Sequence, residues 1–117
     1  MKVALVTGAA QGVGFATARL FAEKGYHVVM TDVQPLDAQA EALVALGGSV
    51  SALSGDISSE AFVVELAETI AREHGAADVL VNNAGISLIC SAETTSIEQW
   101  QRVMNINLTG PFLLCRE

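Results

Sequence analysis

The stretch VTGAAQGVG, Val6 to Gly14, places glycines at Gly8, Gly12 and Gly14 directly after a short apolar run. Bare backbone at that density serves a tight turn and a close approach of main chain to a ligand. It also suits a following helix whose first N–H groups and positive dipole end face an anion such as a pyrophosphate. The spacing is G-x-x-x-G-x-G, not the dinucleotide fingerprint G-x-G-x-x-G, so the loop by itself points to an anion cradle and no further. Asp32 closes a second apolar run, YHVVMTD. A carboxylate there can accept hydrogen bonds from an adenosine ribose diol; on residue type alone it is also an ordinary strand-end acid or N-cap. Farther on, Asn82 and Asn83 of NNAG read by type as turn formers. Asn107 precedes Pro111 by one helical turn. Because proline has no N–H, the Asn107 carbonyl loses its usual helical donor, which either opens a place for a water or merely kinks the helix.

These residues are useful only if regular elements bring them together. Val3 to Thr7 reads as a strand, and Val13 to Lys24 as a helix with Val13, Ala16, Leu20 and Phe21 on its buried face, ending at Gly25. YHVVMTD forms the second strand. Pro35 suits the first turn of the next helix, whose stripe Leu36, Ala40, Leu43 and Val44 runs to Gly47 before a third strand around Val50 to Leu53. Ser58 or Ser59 caps a third helix with Phe62, Val63, Leu66, Ala67 and Ile70 on one face, ending near Gly75. DVLVNN is a continuous apolar run of the kind a strand covered on both faces requires, and Ser96 with Gln99 forms a capping box for the last helix. Strands joined by helical crossovers run parallel, and the crossovers are right-handed. The fold class expected is α/β: a partial Rossmann-type open parallel sheet of four strands in order 3-2-1-4, three layers deep (αβα), with residues 1–117 forming a single truncated dinucleotide-binding domain. Its ligand site lies at the carboxyl ends of the strands, where the glycine loop emerges.

Composition narrows the classes. With 117 residues and 51% hydrophobic content the chain can bury a core. Thirteen acidic against six basic residues give a net charge of −7 without a basic run, which disfavours nucleic acid but leaves room for a small anion held by backbone amides. Cys90 and Cys115 make no C-x-x-C pair and His27 and His74 lie far apart, so no metal site is expected and both thiols are expected to be buried. No apolar stretch approaches about 18 residues and the amino-terminal run carries no cleavage-site context, so a soluble cytoplasmic protein with no membrane partner is expected.

Taken together the motifs resemble the short-chain dehydrogenase/reductase family along the whole chain. TGAAQGVG is similar to that family's cofactor loop TGxxxGxG, NNAG matches its signature after the fourth strand, and NINLTG resembles its segment bearing a catalytic Asn. The resemblance implies that Gly8, Gly12 and Gly14 form the cofactor turn with Gln11 and Val13 beside it, and that Asp56 and Ile57 meet the adenine edge. It implies that Asn83, Ala84 and Gly85 brace the fourth strand and line the ribose on the nicotinamide side, and that Asn107 holds a relay water. The family transfers hydride between a nicotinamide and an alcohol or carbonyl carbon with a Ser, a Tyr and a Lys. Here Tyr26 opens the second strand with Met30 where Y-x-x-x-K would put lysine, and no lysine follows Lys24. The expectation is therefore a cofactor-holding half, inactive alone; the alternative is a non-catalytic dinucleotide-binding or assembly module.

Two further expectations follow from charge and pattern. Asp32, with no Arg or Lys in TDVQPLD or in the glycine loop, repels a 2′-phosphate, which favours NAD(H) as cofactor. In strand order 3-2-1-4 the apolar fourth strand is an edge, and Ile97, Trp100, Val103, Met104, Phe112, Leu113 and Leu114 give the last helix more apolar surface than the sheet covers. In the resembled family that helix packs at a subunit interface, so a homo-oligomer is expected.

Overall fold

The computed structural model describes residues 1–117. Strands β1 (Val3–Thr7), β2 (His27–Asp32), β3 (Ser49–Ser54) and β4 (Val79–Val81) form one parallel sheet in the order β3-β2-β1-β4. Leu5 is registered with Val29 on one side and Leu80 on the other, which makes β1 the strand flanked on both sides nearest the glycine loop. Helices α1 (Gly12–Glu23) and α2 (Asp37–Ala45) cover one face. There Val6, Val28, Met30, Ala18 and Leu43 form the larger core cluster. Helix α3 (Glu60–His74) and the last helix α5 (Gly110–Arg116) cover the other, where Val3, Leu5 and Val29 meet Leu66, Ile70 and Leu114. The three-layer α/β arrangement and the strand order 3-2-1-4 are as expected.

The chain between β4 and α5 is less regular. A 3₁₀ turn (Ala92–Thr94) leads to α4 (Ile97–Met104), and a π turn (Asn105–Thr109) joins α4 to α5. Helix α4 opens with a complete capping box: the Ser96 amide donates to Gln99 Oε1 at 2.9 Å and the Gln99 amide to Ser96 Oγ at 3.1 Å. Ser59 rather than Ser58 caps α3, accepting from the Phe62 amide.

Several expectations change. The buried face of α1 is Gly14 and Ala18, flanked by Phe15, Phe21 and Ala22; Val13 is 74% exposed and Leu20 is also exposed. Small residues let the helix axis approach the sheet, so they and not the bulkier aliphatics take the inner face. Pro35 lies ahead of α2, which begins at Asp37, and Val44 is exposed although Leu36 and Leu43 are buried. Both cysteines are free and exposed, not buried: Cys90 sits on the irregular segment after β4, and Cys115 lies near the end of α5 with the Asn82 carboxamide 3.6 Å from its Sγ. Each residue of β4 is only half-buried, because its outer edge has no neighbour. No helix is long and apolar enough to cross a membrane.

Candidate functional site

A cleft of about 490 Å³ opens at the carboxyl ends of the strands. Its walls include Gly8, Gln11, Gly12 and Val13 from the β1–α1 connection, Asp32 from β2, Asp56 and Ile57 after β3, and Asn83, Ala84 and Gly85 after β4. Four connections that are remote in sequence meet there because parallel strands all discharge at the same end of the sheet.

The glycine loop is held by contact on both sides. Gly8 has φ of 64°, and a Cβ on it would lie 2.8 Å from Asn83 Nδ2. Gly14 does not line the cleft; a Cβ there would overlap the Gly8 carbonyl oxygen, so its role is to let α1 close onto the loop. Gly12 does line the cleft, and a Cβ on it would meet nothing within 4 Å. The loop thus leaves open space over bare backbone at the start of a helix with no acid in its first turn, which fits the phosphates of a dinucleotide.

Thr7 ties the loop to the fourth strand. Its buried hydroxyl donates to the Val81 carbonyl at 3.3 Å and accepts from the amides of Asn83 at 3.0 Å and Ala84 at 2.9 Å. Asn83 returns the contact, its Nδ2 donating to the carbonyls of Thr7 at 3.1 Å and Gly8 at 3.3 Å. Asp32 accepts from the Ala10 amide on Oδ2 and the Gln34 amide on Oδ1, each at 3.0 Å. A carboxylate has about four acceptor sites, so capacity remains on each oxygen for a ligand hydroxyl.

Asp56 Oδ1 accepts from both the amide (2.9 Å) and the hydroxyl (2.7 Å) of Ser58, while Oδ2 lies 3.6 Å from Arg102 Nη1. The Ser58 hydroxyl foremost, then its amide and the Arg102 guanidinium, hold the Asp56 carboxyl below the usual carboxylate range against the opposing effect of burial. Asp32, Asp56 and Arg102 are the charged side chains on the cleft wall.

Asn107 stands apart from the cleft. Its carboxamide clamps the main chain of Ile86, accepting from the amide at 2.8 Å and donating to the carbonyl at 2.7 Å. Its own carbonyl faces Pro111 in sequence, which has no N–H, and here the helix widens into the π turn instead of simply kinking. The side chain thus braces the main chain of Ile86, which lines the cleft.

Thr7, Ile86 and Arg102 are among the site residues that sequence reasoning passed over. A signal existed for Thr7, since a hydroxyl at the end of a fully buried strand must find partners. None existed for Arg102, whose partner is distant in sequence.

The family model of the short chain dehydrogenases matches residues 2–117. The chain belongs to the short-chain dehydrogenase family. D-threitol dehydrogenase of Mycolicibacterium smegmatis is 44% identical over 98% of this chain, and NAD-dependent glycerol dehydrogenase of Listeria innocua is 37% identical over 98%. A metagenomic short-chain oxidoreductase crystallised in complex with NADP superposes with a TM-score of 0.93 at 37% identity, covering 98% of this chain and 53% of that one. This short-chain dehydrogenase chain spans about half the length of the curated relatives it matches, 45% for each dehydrogenase named here.

Proposed function

We propose that the chain holds a nicotinamide dinucleotide at the carboxyl end of its sheet, as the cofactor-binding part of an oxidoreductase acting on an alcohol or carbonyl compound, and that it prefers NAD(H). The family match, the relatives' printed activities and the neighbour's NADP complex support the cofactor class. The observation that carries the preference is the charge on the cleft wall. Asp32 ends β2 with no cation on the connection that follows, and the one cation in the cleft, Arg102, is engaged by Asp56. A 2′-phosphate beside Asp32 would meet an uncompensated like charge.

In this reading the backbone of Gly8 and Gly12 and the start of α1 bind the phosphates, with Gln11 and Val13 beside them. Asp32 accepts from the adenosine ribose, and Asp56 with Ile57 meets the adenine. Asn83, Ala84 and Gly85 form the wall on the nicotinamide side, and Asn107 steadies Ile86 next to it while its carbonyl holds a water that can carry a proton. When bound, the nicotinamide supplies or accepts the hydride. Titration calorimetry with both cofactors tests the preference: NAD(H) should bind at least about tenfold more tightly, and Asp32→Ala should narrow the gap. Tighter binding of NADP(H) would refute the preference, and binding of neither would refute the site.

The half-buried edge β4 and the exposed Ile97, Trp100 and Phe112 favour self-association in addition. No lysine, proline or bulge blocks pairing on Val79–Val81. A two-fold dimer is expected by light scattering coupled to size exclusion, weakened by Val79→Lys; a stable monomer at micromolar concentration would contradict it.

A further inference from the structure

The connection from β3 into α3 carries Asp56 on a loop, without a strand to fix it. One carboxylate oxygen is committed locally, since Oδ1 takes both Ser58 bonds. The other, Oδ2, has a single partner in the chain, the guanidinium of Arg102 arriving from α4. Helix α4 offers Arg102 a nearer choice. Glu98 lies one turn back in the favourable acid-before-base order, and lines the same shallow groove of about 290 Å³ beside Ile86–Leu88. Arg102 nonetheless sits within ion-pair distance of Asp56 and not of Glu98.

From this geometry we infer that Arg102 is a positioning residue for the adenine end of the cleft: it restrains the free oxygen of Asp56, so that the carboxylate stands on the wall as a fixed acceptor for an exocyclic amino group. The inference rests on the cofactor reading above and deepens it, because it assigns the recognition of the base to a pair of residues and not to Asp56 alone. A restrained acceptor discriminates by chemistry. It favours a purine with an amino group at that edge and disfavours one carrying an oxygen there, since two acceptors would then face each other. Both partners are more than a third exposed, with side chains at 60% and 38%, so the effect is modest and screened by salt.

The experiment compares binding of NAD with that of nicotinamide hypoxanthine dinucleotide, in which an oxygen replaces the adenine amino group. Measurements use the unmodified protein, Arg102→Leu and Arg102→Lys. The unmodified protein should prefer NAD, Arg102→Leu should reduce that preference by about two- to fivefold, and Arg102→Lys should retain most of it, because a single contact needs a charge and not a fork. Raising the salt concentration should move the unmodified protein toward the Leu variant. A preference unchanged in Arg102→Leu, an equal loss for both dinucleotides, a Lys variant matching the Leu variant, or no preference in the unmodified protein would each overturn the inference while leaving NAD binding in place. Failure of the unmodified protein to bind NAD at all would remove the cofactor reading itself.

Discussion

Strands β1 and β4 are hydrogen-bonded neighbours of similar composition, VALVT and VLV, yet every residue of β1 is buried and none of β4 is. Layers on both faces and a strand on each side enclose β1, whereas β4 has one neighbour and an open edge. Each strand nonetheless delivers residues to the same cleft. The difference shows where the rigidity of the Asn83–Gly85 turn originates. It is not supplied by β4's own packing but borrowed from β1 through the Thr7 hydroxyl and the Asn83 carboxamide.

Breaking the tight side of this comparison should have the largest effect. Gly14→Ala drives a methyl into the Gly8 carbonyl, which as backbone has no cheap way to yield. A loss of about 3 kcal/mol or more in urea unfolding is expected, well beyond the ~1 kcal/mol that alanine gains in a helix. A midpoint near that of the unmodified protein would show the loop to be slack. Next comes the tie itself. Thr7→Val keeps the shape but leaves the half-buried Ala84 amide without its acceptor, while the Asn83 amide keeps the Val81 carbonyl; a cost of about 1–2 kcal/mol is expected, with faster hydrogen exchange at Ala84 as the local signature. Thr7→Ser should restore most of it, and exchange unchanged in the Val variant would mean that β4 holds its own turn.

The smallest effect lies at the other end of β1, where Val3 is registered with His27. The His27 ring donates or accepts between Ser49 Oγ at 2.7 Å and Ser51 Oγ at 3.0 Å and stacks on His74 at 4.1 Å. Nε2 of His74 is the one buried side-chain polar atom without a hydrogen-bond partner. Burial, and then His74, lower His27 below its ordinary 6.5, with Glu73 opposing. The unfolded chain takes up a proton near 6.5 while the folded one resists, so this contribution is complete above that pH and is lost as pH falls through 6.5 toward the lower folded value. The urea midpoint should decline over that window, and His27→Gln should flatten the decline; an equally steep Gln profile would assign it to other groups.

Much of this fold was legible because period and punctuation agree. Apolar strands alternate with helices that end at Gly25, Gly47 and Gly75, and crossover handedness then leaves little freedom in the sheet. What escaped depended on partners distant in sequence. The inner face of α1 was misjudged because hydrophobicity ranked Val13 and Leu20 above Gly14 and Ala18, whereas approach distance decides packing there. Exposure of Cys90 and Cys115 reflects how little of the segment after β4 is covered, which composition does not encode. In the cleft, glycines and acids announced themselves by type, but the pairing of Asp56 with Arg102 arises only when α4 is laid across the β3–α3 connection.

The π turn at Asn105–Thr109 acts as a phase shifter. In an uninterrupted α-helix Phe112 would stand about 120° around the axis from Trp100; absorbing one extra residue brings that offset to about 20°. Both side chains are more than half exposed, at 57% and 58%, and they share one stripe because of the wide turn. Deleting a single residue there would restore ordinary helical geometry and leave that stripe in place, whereas inserting one would turn the downstream helix by about 100° and rotate Leu113, now 4% exposed, away from the core. A one-residue insertion in this segment therefore operates as a rotation of everything downstream, so the spacing between Trp100 and Phe112 is constrained as an angle as well as a distance.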